Sequence, residues 1–354
     1  MEQAAEPGGS PRRWTPRATV VLSIASAAAT LPLAIIYWLR PDSCAAITVW
    51  PVWAWAIPGL AILLPGIRRG RGRPALLAAC VWAVWLVALA EEPKSLLRFN
   101  QLDSVEWRTA AREGRAIRVV SLNCAAGTVE AMGEVAPYHP DLVLLQESPT
   151  EKQVTDFAHR LFGSDAGIGV GFDPSIVARG SLTPAAQPPD HRAWFVMATV
   201  HLPGKPPLDV ISLRLTPACV RTDLYSASAW EQHAENRRLR REQLCAVVEA
   251  LRRKNSGNPV VLAGDFNAQQ DDAVFDLLRP TLRDVFKTAG SGWGDTIINE
   301  APVLRIDEIW ASPAIRATAV VARRTANSDH RMVVADLILP PMQGTSAPPA
   351  NPAR

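Results

Sequence analysis

Asp265 and Asn267 stand two residues apart in Gly264-Asp265-Phe266-Asn267, directly after the apolar run Pro259-Val260-Val261-Leu262-Ala263. Side chains on an extended chain alternate with period two, so the carboxylate and the carboxamide point the same way. At the end of a buried strand, Asp265 can take a proton from water and Asn267 can donate a hydrogen bond to a phosphate oxygen. Asp and Asn also end strands simply because they form turns. Both readings stand until other residues join the motif.

Several more acidic or amide residues fall where apolar runs end. Asn123 follows Val119-Val120-Ser121-Leu122, and Glu147 follows Leu142–Leu145 and Gln146. Asp307 lies inside Arg305-Ile306-Asp307-Glu308-Ile309-Trp310, and Asp329-His330 follows Ser328 and precedes Met332–Leu337. Each alone is equally a turn residue, a cap or a solvated carboxylate.

Together and in this order, Ser121-Leu122-Asn123, Leu145-Gln146-Glu147, Gly264-Asp265-Phe266-Asn267, Ile306-Asp307 and Ser328-Asp329-His330 resemble the endonuclease/exonuclease/phosphatase superfamily. That superfamily has the fold of pancreatic deoxyribonuclease, abasic-site endonucleases, inositol polyphosphate 5-phosphatases and neutral sphingomyelinases. The resemblance covers residues 116–339 and leaves the first 115 untouched. It implies an α/β (α+β) four-layered sandwich, two packed mixed β-sheets flanked by helices, and hydrolysis of a phosphate ester.

Such hydrolysis needs charge neutralisation, an aligned water and a stabilised leaving oxygen. Glu147 is a hard ligand suited to Mg²⁺, and Asn123 beside it would help set the metal's water shell. Asp265 would orient or deprotonate the attacking water, Asn267 would hold one phosphoryl oxygen, and His330 would donate to another. The resemblance implies that Asp307 and Asp329 supply the carboxylate partner of His330 or a second metal contact. A carboxylate-rich site without Cys or paired His favours Mg²⁺ or Mn²⁺ over Zn²⁺.

One position departs from the family pattern, which usually carries a His at the end of a central strand. The matching place is Leu213-Arg214-Leu215, after Val210-Ile211-Ser212. Arg214 can hold phosphate but cannot act as an acid near neutral pH, or it is simply a surface cation. Tyr225, or His201 in a different strand register, are the alternatives for leaving-group protonation.

The elements that must position these residues read as alternating short strands and helices. Strands are expected at 117–122, 142–145, near 174–179, 193–201 and 208–215, and at 259–263, 305–310, 318–323 and 331–338. Helices are expected at 129–136, at 150–161 with Ser148 or Thr150 as N-cap, and at 228–254. In the last, Leu244, Val247, Val248 and Leu251 share a face. Arg237, Arg238, Arg240 and Arg241 on it are either a lipid or phosphate patch or a solvated face paired with Glu231, Glu235 and Glu242.

The first ninety residues differ in kind, holding seven of the twelve Trp. Residues 18–39, 43–66 and 74–90 are apolar and free of charge, and a bilayer core takes about 20 helical residues. An all-α transmembrane module of three helices (about 18–39, 43–66 and 74–90) is expected, anchored in the lipid bilayer. Arg12, Arg13 and Arg17 precede the first span, and Arg68, Arg69, Arg71 and Arg73 follow the second. The positive-inside rule then puts tail 1–17 in the cytoplasm and everything after the third span outside. A cleaved signal peptide ending near Ala25-Ser26-Ala27 gives the same location. A linker is expected at 91–115, the phosphoesterase-like domain at 116–339 and a disordered Pro/Ala/Ser tail at 340–354.

Residues 101–354 carry 27 Lys+Arg against 29 Asp+Glu, a net of −2. This speaks against a generally basic nucleic-acid binder. Cys44, Cys80, Cys124, Cys219 and Cys245 show no metal-type spacing and read as small buried residues. The expectation is a multi-pass, membrane-anchored, extracytoplasmic phosphoesterase acting on a lipid head group, a small phosphodiester or monoester, or nucleic acid. The alternatives are an extracytoplasmic nuclease, supported if Arg214, Arg237 and Arg241 form a basic groove, and a non-catalytic binding domain retaining the fold. No sequence feature points to a protein partner.

Overall fold

A computed structural model describes residues 16–68, 72–186, 193–219 and 221–341. Arg12, Arg13, Arg69 and Arg71, and residues 342–354 of the expected tail, lie outside the described residues. The chain divides into two units, one made of residues 1–39 and 52–90, the other of residues 40–51 and 91–354.

The larger unit contains two six-stranded sheets among the described residues. Sheet one is built from β1 (Ala116–Asn123), β2 (Leu142–Gln146), β3 (Gly167–Val170), β4 (Ser175–Ala178), β11 (Arg316–Arg323) and β12 (Met332–Ile338), in the order β11-β12-β1-β2-β4-β3. Sheet two is built from β5 (Ser181–Pro184), β6 (Phe195–His201), β7 (Leu208–Arg214), β8 (Val260–Asp265), β9 (Arg283–Asp284) and β10 (Asp307–Ala311), in the order β5-β6-β7-β8-β10-β9. Strands β3, β5 and β9 are short and Gly-, Ser- or charge-bearing, and their sequences carry no apolar run to announce them.

Both faces of both sheets are covered, and the two-residue period sorts the side chains. Ile117 and Val119 of β1 join Leu142, Leu144, Val210, Val261 and Ile309 between the sheets. Val120 and Leu122 point the other way, toward Met132, Val154 and Phe157, on α8 (Val129–Gly133) and α9 (Glu151–Phe162). On the far side, Leu213 and Leu262 pack against Leu244, Val247 and Val248 of α10 (Ala227–Lys254). Strands buried on both faces read as continuous apolar runs, which is why β1, β2 and β8 stand out in the sequence. Thr150 caps α9 with a full capping box, in which the cap side chain and the third helical residue satisfy each other's orphan amides.

Each sheet contains one parallel pair at its centre, β1 with β2 and β7 with β8. Asn123 is in register with Gln146, and Arg214 with Asp265. The antiparallel β10 starts opposite, placing Asp307 against Asp265. The predicted site residues therefore meet at one end of the sandwich. Gly264 allows this approach: its φ is +152°, and a Cβ there would stand 1.9 Å from the Leu213 carbonyl oxygen.

The stretch 91–115 is bonded onto the sandwich. It includes α6 (Glu92–Leu96) and α7 (Val105–Arg112). Arg98 Nε donates to the Gly290 carbonyl at 2.6 Å, and the Asp103 amide donates to Asp336 Oδ2 at 2.7 Å. Arg118 ties Asp336 and Asp103 together.

Among the described residues, the apolar N-terminal segments give one helix long and apolar enough to cross a membrane, Arg17–Leu39, within α1 (Pro16–Leu39). The expected second helix, 43–66, is not continuous. It breaks into α2 (Ala45–Thr48), α3 (Val52–Ala61) and α4 (Leu64–Arg68), and the Asp42–Thr48 and Val52–Ala61 parts are bent by 65°. Pro51 lacks an amide hydrogen and disfavours helical backbone at the residue before it. The first part is also claimed elsewhere, because Arg237 on α10 bonds Thr48 Oγ1 and the Arg40 and Pro41 carbonyls, and Arg241 pairs with Asp42. The third segment forms α5 (Arg73–Leu89), a shorter apolar helix. In this smaller unit α1, α3 and α5 pack together: Trp82 Nε1 donates to Ser26 Oγ at 3.0 Å, and Ser26 Oγ donates to the Gly59 carbonyl at 2.7 Å.

Gly264→Ala is expected to lower the unfolding free energy by roughly 3 kcal/mol, from left-handed strain and backbone collision together. Urea denaturation of the full chain in detergent measures this; an unchanged midpoint would show that β7 and β8 are not packed as described.

Candidate active site

Asn123 is the hub of the site. Its Nδ2 donates to Glu147 Oε1 and to Asp265 Oδ2, both at 3.1 Å, and its Oδ1 accepts from the Ala125 amide at 2.9 Å. It thus joins the end of β2 in one sheet to the end of β8 in the other. A second link runs just beneath: Gln146 Nε2 donates to Ser212 Oγ at 3.2 Å, which donates to the Leu145 carbonyl at 2.9 Å.

Glu147 sits at φ +46°, turned out of β2. Its Oε2 accepts from the Ala126 amide at 2.6 Å, and its Oε1 meets Arg214 Nη2 at 2.7 Å. Burial pushes its carboxyl up, but the bonds from Asn123 and Ala126 and the Arg214 charge outweigh that and hold it below the usual range.

Asp265 is buried. Its Oδ1 accepts from the Asn267 amide at 2.9 Å, and its Oδ2 accepts from Asn267 Nδ2 at 3.1 Å. Asn267 Nδ2 also donates to the Leu215 carbonyl at 2.9 Å. Both amide hydrogens of Asn267 are therefore spent inside the protein, and its side chain holds Asp265 in place. Burial and the Asp307 charge push the Asp265 carboxyl up to about 7, against the pull of His330, Asn267 and Arg214.

His330 Nδ1 lies 2.8 Å from Asp307 Oδ2. Burial alone would lower its pKa, yet the Asp307 charge and hydrogen bond carry it up to about 10. The ring is then cationic at neutral pH and donates from Nδ1 to Asp307, leaving Nε2 as the atom able to face a substrate. Two hydroxyl residues hold this pair, one outside the sequence motifs and one inside. Thr296 Oγ1 accepts from the Ile306 and Asp307 amides at 3.3 and 3.2 Å. Ser328, inside the motif, donates to the Asn123 carbonyl at 2.7 Å and accepts from the His330 amide at 3.0 Å. Asp329 is exposed; its charge supports the His330 cation and its carbonyl accepts from the Asn299 amide at 2.8 Å.

Arg214 is surrounded by acid. Besides Glu147 it meets Asp173 Oδ2 at 3.0 Å, and its Nε is 3.8 Å from Asp265 Oδ2. Asp173 was not anticipated from the sequence. It lies in the Gly171-Phe172-Asp173-Pro174 turn between β3 and β4 and also accepts from the Glu147 amide at 2.9 Å. Burial outweighs these bonds and raises its pKa. The only sequence signal for it is that turn tetrapeptide, beside a strand too short to read.

The two alternatives to Arg214 fall away. His201 is exposed at the far end of β6, which runs antiparallel to β7 and places Phe195, not His201, beside Leu213. Tyr225 is 94% exposed, in the loop before α10. The basic groove sketched around Arg214, Arg237 and Arg241 does not form. Arg237 is buried and paired with Asp272, and Arg241 pairs with Asp42. Only Arg238, bonded to Glu235 and Glu242, follows the solvated pattern.

The donors suit a hard divalent cation. Ligand atoms of Asp265, Asp307 and His330 lie within 4.8 Å of one another, and Asp307 Oδ1 is buried with no hydrogen-bond partner. Because His330 Nδ1 already faces Asp307 as a donor, the carboxylate oxygens are the atoms in this cluster suited to a cation. Cys124, buried and pushed up to about 12 by burial first and the Glu147 and Asp173 charges next, stays a thiol and takes no part.

Residues 120–330 match the model of the Endonuclease/Exonuclease/phosphatase family. No curated protein sequence matches the chain. Among solved structures, an endonuclease/exonuclease/phosphatase family protein from Bacteroides thetaiotaomicron shares 16% identity at a TM-score of 0.50, covering 64% of this chain and 96% of that one. The mannosyl-6-phosphatase of the same organism shares 17% identity at a TM-score of 0.47, covering 63% of this chain and 100% of that one. The beta toxin of Staphylococcus aureus shares 15% identity at a TM-score of 0.46, covering 62% and 99%.

In metal-free protein, Asp307→Asn is expected to drop the His330 imidazole from about 10 toward its ordinary value near 6.5, because the raising charge is gone. NMR titration of the ring protons reads this directly; an unshifted ring would show that Asp307 is not the partner.

Proposed function

Because the chain belongs to the endonuclease/exonuclease/phosphatase family, we propose that it is a membrane-anchored, metal-dependent phosphoesterase whose larger unit faces away from the cytoplasm. The observation that carries the hydrolase reading is the meeting of Asp265 and the His330–Asp307 pair at one end of two facing sheets, beside Asn123 and Glu147.

Asp265, shifted into the neutral range, accepts the proton of the attacking water. Asn267 and Asn123 fix its two oxygens so that it cannot turn away. His330 donates from Nε2 to a phosphoryl oxygen as charge builds there, and Asp307 fixes its tautomer and orientation. Glu147 and the unpartnered Asp307 Oδ1 would hold Mg²⁺ or Mn²⁺, with Asn123 positioning Glu147, and the ion would neutralise phosphoryl charge. As the water oxygen bonds to phosphorus, the bond to the leaving oxygen breaks. Arg214 cannot supply the proton that oxygen then needs, so it comes from solvent.

The membrane reading rests on the smaller unit. Only 17% of the apolar window of α1 is buried, and Val21, Ile24, Leu31, Leu76, Leu77 and Val84 are exposed on α1 and α5. Large exposed apolar patches mark lipid or partner contact, and a helix in a soluble core would be covered. Orientation follows from a separate fact. The loop of residues 40–51 belongs to the same compact unit as residues 91–354, so both lie on one side of any membrane. With basic Arg68 at the end of α4 and Arg73 at the start of α5 on the cytoplasmic side, the larger unit is read as lying outside.

Asp265→Asn and His330→Gln are each expected to lower kcat for a generic phosphodiester by about 10²–10⁴-fold. Wild-type rates in both variants would overturn the site; absence of hydrolysis by the parent chain with Mg²⁺ or Mn²⁺ would favour a binding domain. For topology, an export-dependent reporter at the C-terminus should be active and the same reporter inserted at Gly70 inactive; the reverse pattern would invert the orientation.

A further inference from the structure

We propose that this site is built for a phosphodiester monoanion and against a phosphomonoester dianion, and that Asp173 enforces the choice by neutralising Arg214. This rests on the phosphoesterase reading above and narrows its substrate class.

Arg214 is the guanidinium that stands among the catalytic carboxylates, and an arginine with a free fork grips phosphate through two parallel hydrogen bonds. Here one contact on each end of the fork is already made to an acid. Nη2 is held by Glu147 at 2.7 Å and Nη1 by Asp173 at 3.0 Å. The remaining Nε is buried without a hydrogen-bond partner, 3.8 Å from Asp265 Oδ2. The amide hydrogens of Asn123 and Asn267 are likewise committed within the protein. His330 Nε2 and the unbonded hydrogens of a charge-balanced Arg214 are the side-chain donors left for phosphoryl oxygens.

The charges point the same way. Glu147, Asp173, Asp265, Asp307 and Asp329 face Arg214 and His330, and Arg240 acts on Asp265 from α10 with its Nη1 tied to Asn236. A second negative charge on the substrate is repelled by this acidic surround. A monoester also offers three non-bridging oxygens where a diester offers two, and the site has few donors to meet them. Replacing Asp173 by Asn removes one charge and releases Nη1, while the amide oxygen can still accept from the Glu147 amide.

The full-length chain in detergent micelles with Mg²⁺ is assayed on bis(4-nitrophenyl) phosphate and 4-nitrophenyl phosphate, with inorganic phosphate as competitor. The diester is expected to have the higher kcat/KM by about tenfold or more. Asp173→Asn is expected to raise the relative rate on the monoester and to tighten inhibition by inorganic phosphate, each by about tenfold. Equal or faster monoester hydrolysis by the wild type overturns the diester assignment and leaves the phosphoesterase reading standing. Hydrolysis of neither compound overturns the phosphoesterase reading itself. A variant with unchanged substrate ratio and unchanged phosphate inhibition removes Asp173 from the explanation.

Discussion

Carboxylates that crowd together at the edge of a buried core repel one another, and a fold can keep them there only by giving each a donor or a cation. Asn123 does most of this. One carboxamide donates to Glu147 and Asp265 across the gap between two sheets, and its own oxygen is fixed by the Ala125 amide. Around it, Asn267 holds Asp265, His330 holds Asp307, and Arg214 sits between Glu147 and Asp173. The strand register serves this cluster: Arg214 must lie level with Asp265, and Asp307 must start opposite it. Gly264 lets β7 and β8 approach closely enough.

Much of this was legible because buried strands announce themselves. β1, β2, β8 and β12 are apolar runs ending in Asn123, Glu147 and Asp265 or beginning after His330, and the polar residue at the end of an apolar run is easy to see. What was not legible has a common physical cause. Asp173 acts from a turn beside a four-residue strand, and Thr296 acts from a loop; neither has a periodic context. Asn267 was expected to reach the phosphate, but an amide has two hydrogens, and only the fold reveals that Leu215 and Asp265 take both.

The N-terminal half-surprise is of the same kind. Hydropathy sees residues 43–66 as one apolar segment, and no local rule says that its first part, residues 43–51, belongs to another unit. Arg237 decides that. A buried guanidinium needs several acceptors, and Asp272, Thr48 and two backbone carbonyls supply them. Thr48 and the Arg40 and Pro41 carbonyls lie in the stretch after α1, so satisfying Arg237 ties that stretch to α10. The same contact makes residues 40–51 a part of the larger unit that a truncation at the expected domain start near 116 would lose, together with the bonded stretch from Glu91.

Arg214 then reads differently from a simple replacement of a family histidine. A histidine at the end of β7 could pass a proton to the leaving oxygen; a guanidinium cannot, and the charge of this one is balanced by Glu147 and Asp173. Its effect is to allow Glu147, Asp173 and Asp265 to share one small volume while staying poised for a cation and a water. Where the family resemblance implies a proton donor, Arg214 provides a charge balance. That arrangement suits substrates whose leaving group departs without help and whose phosphoryl group brings a single negative charge.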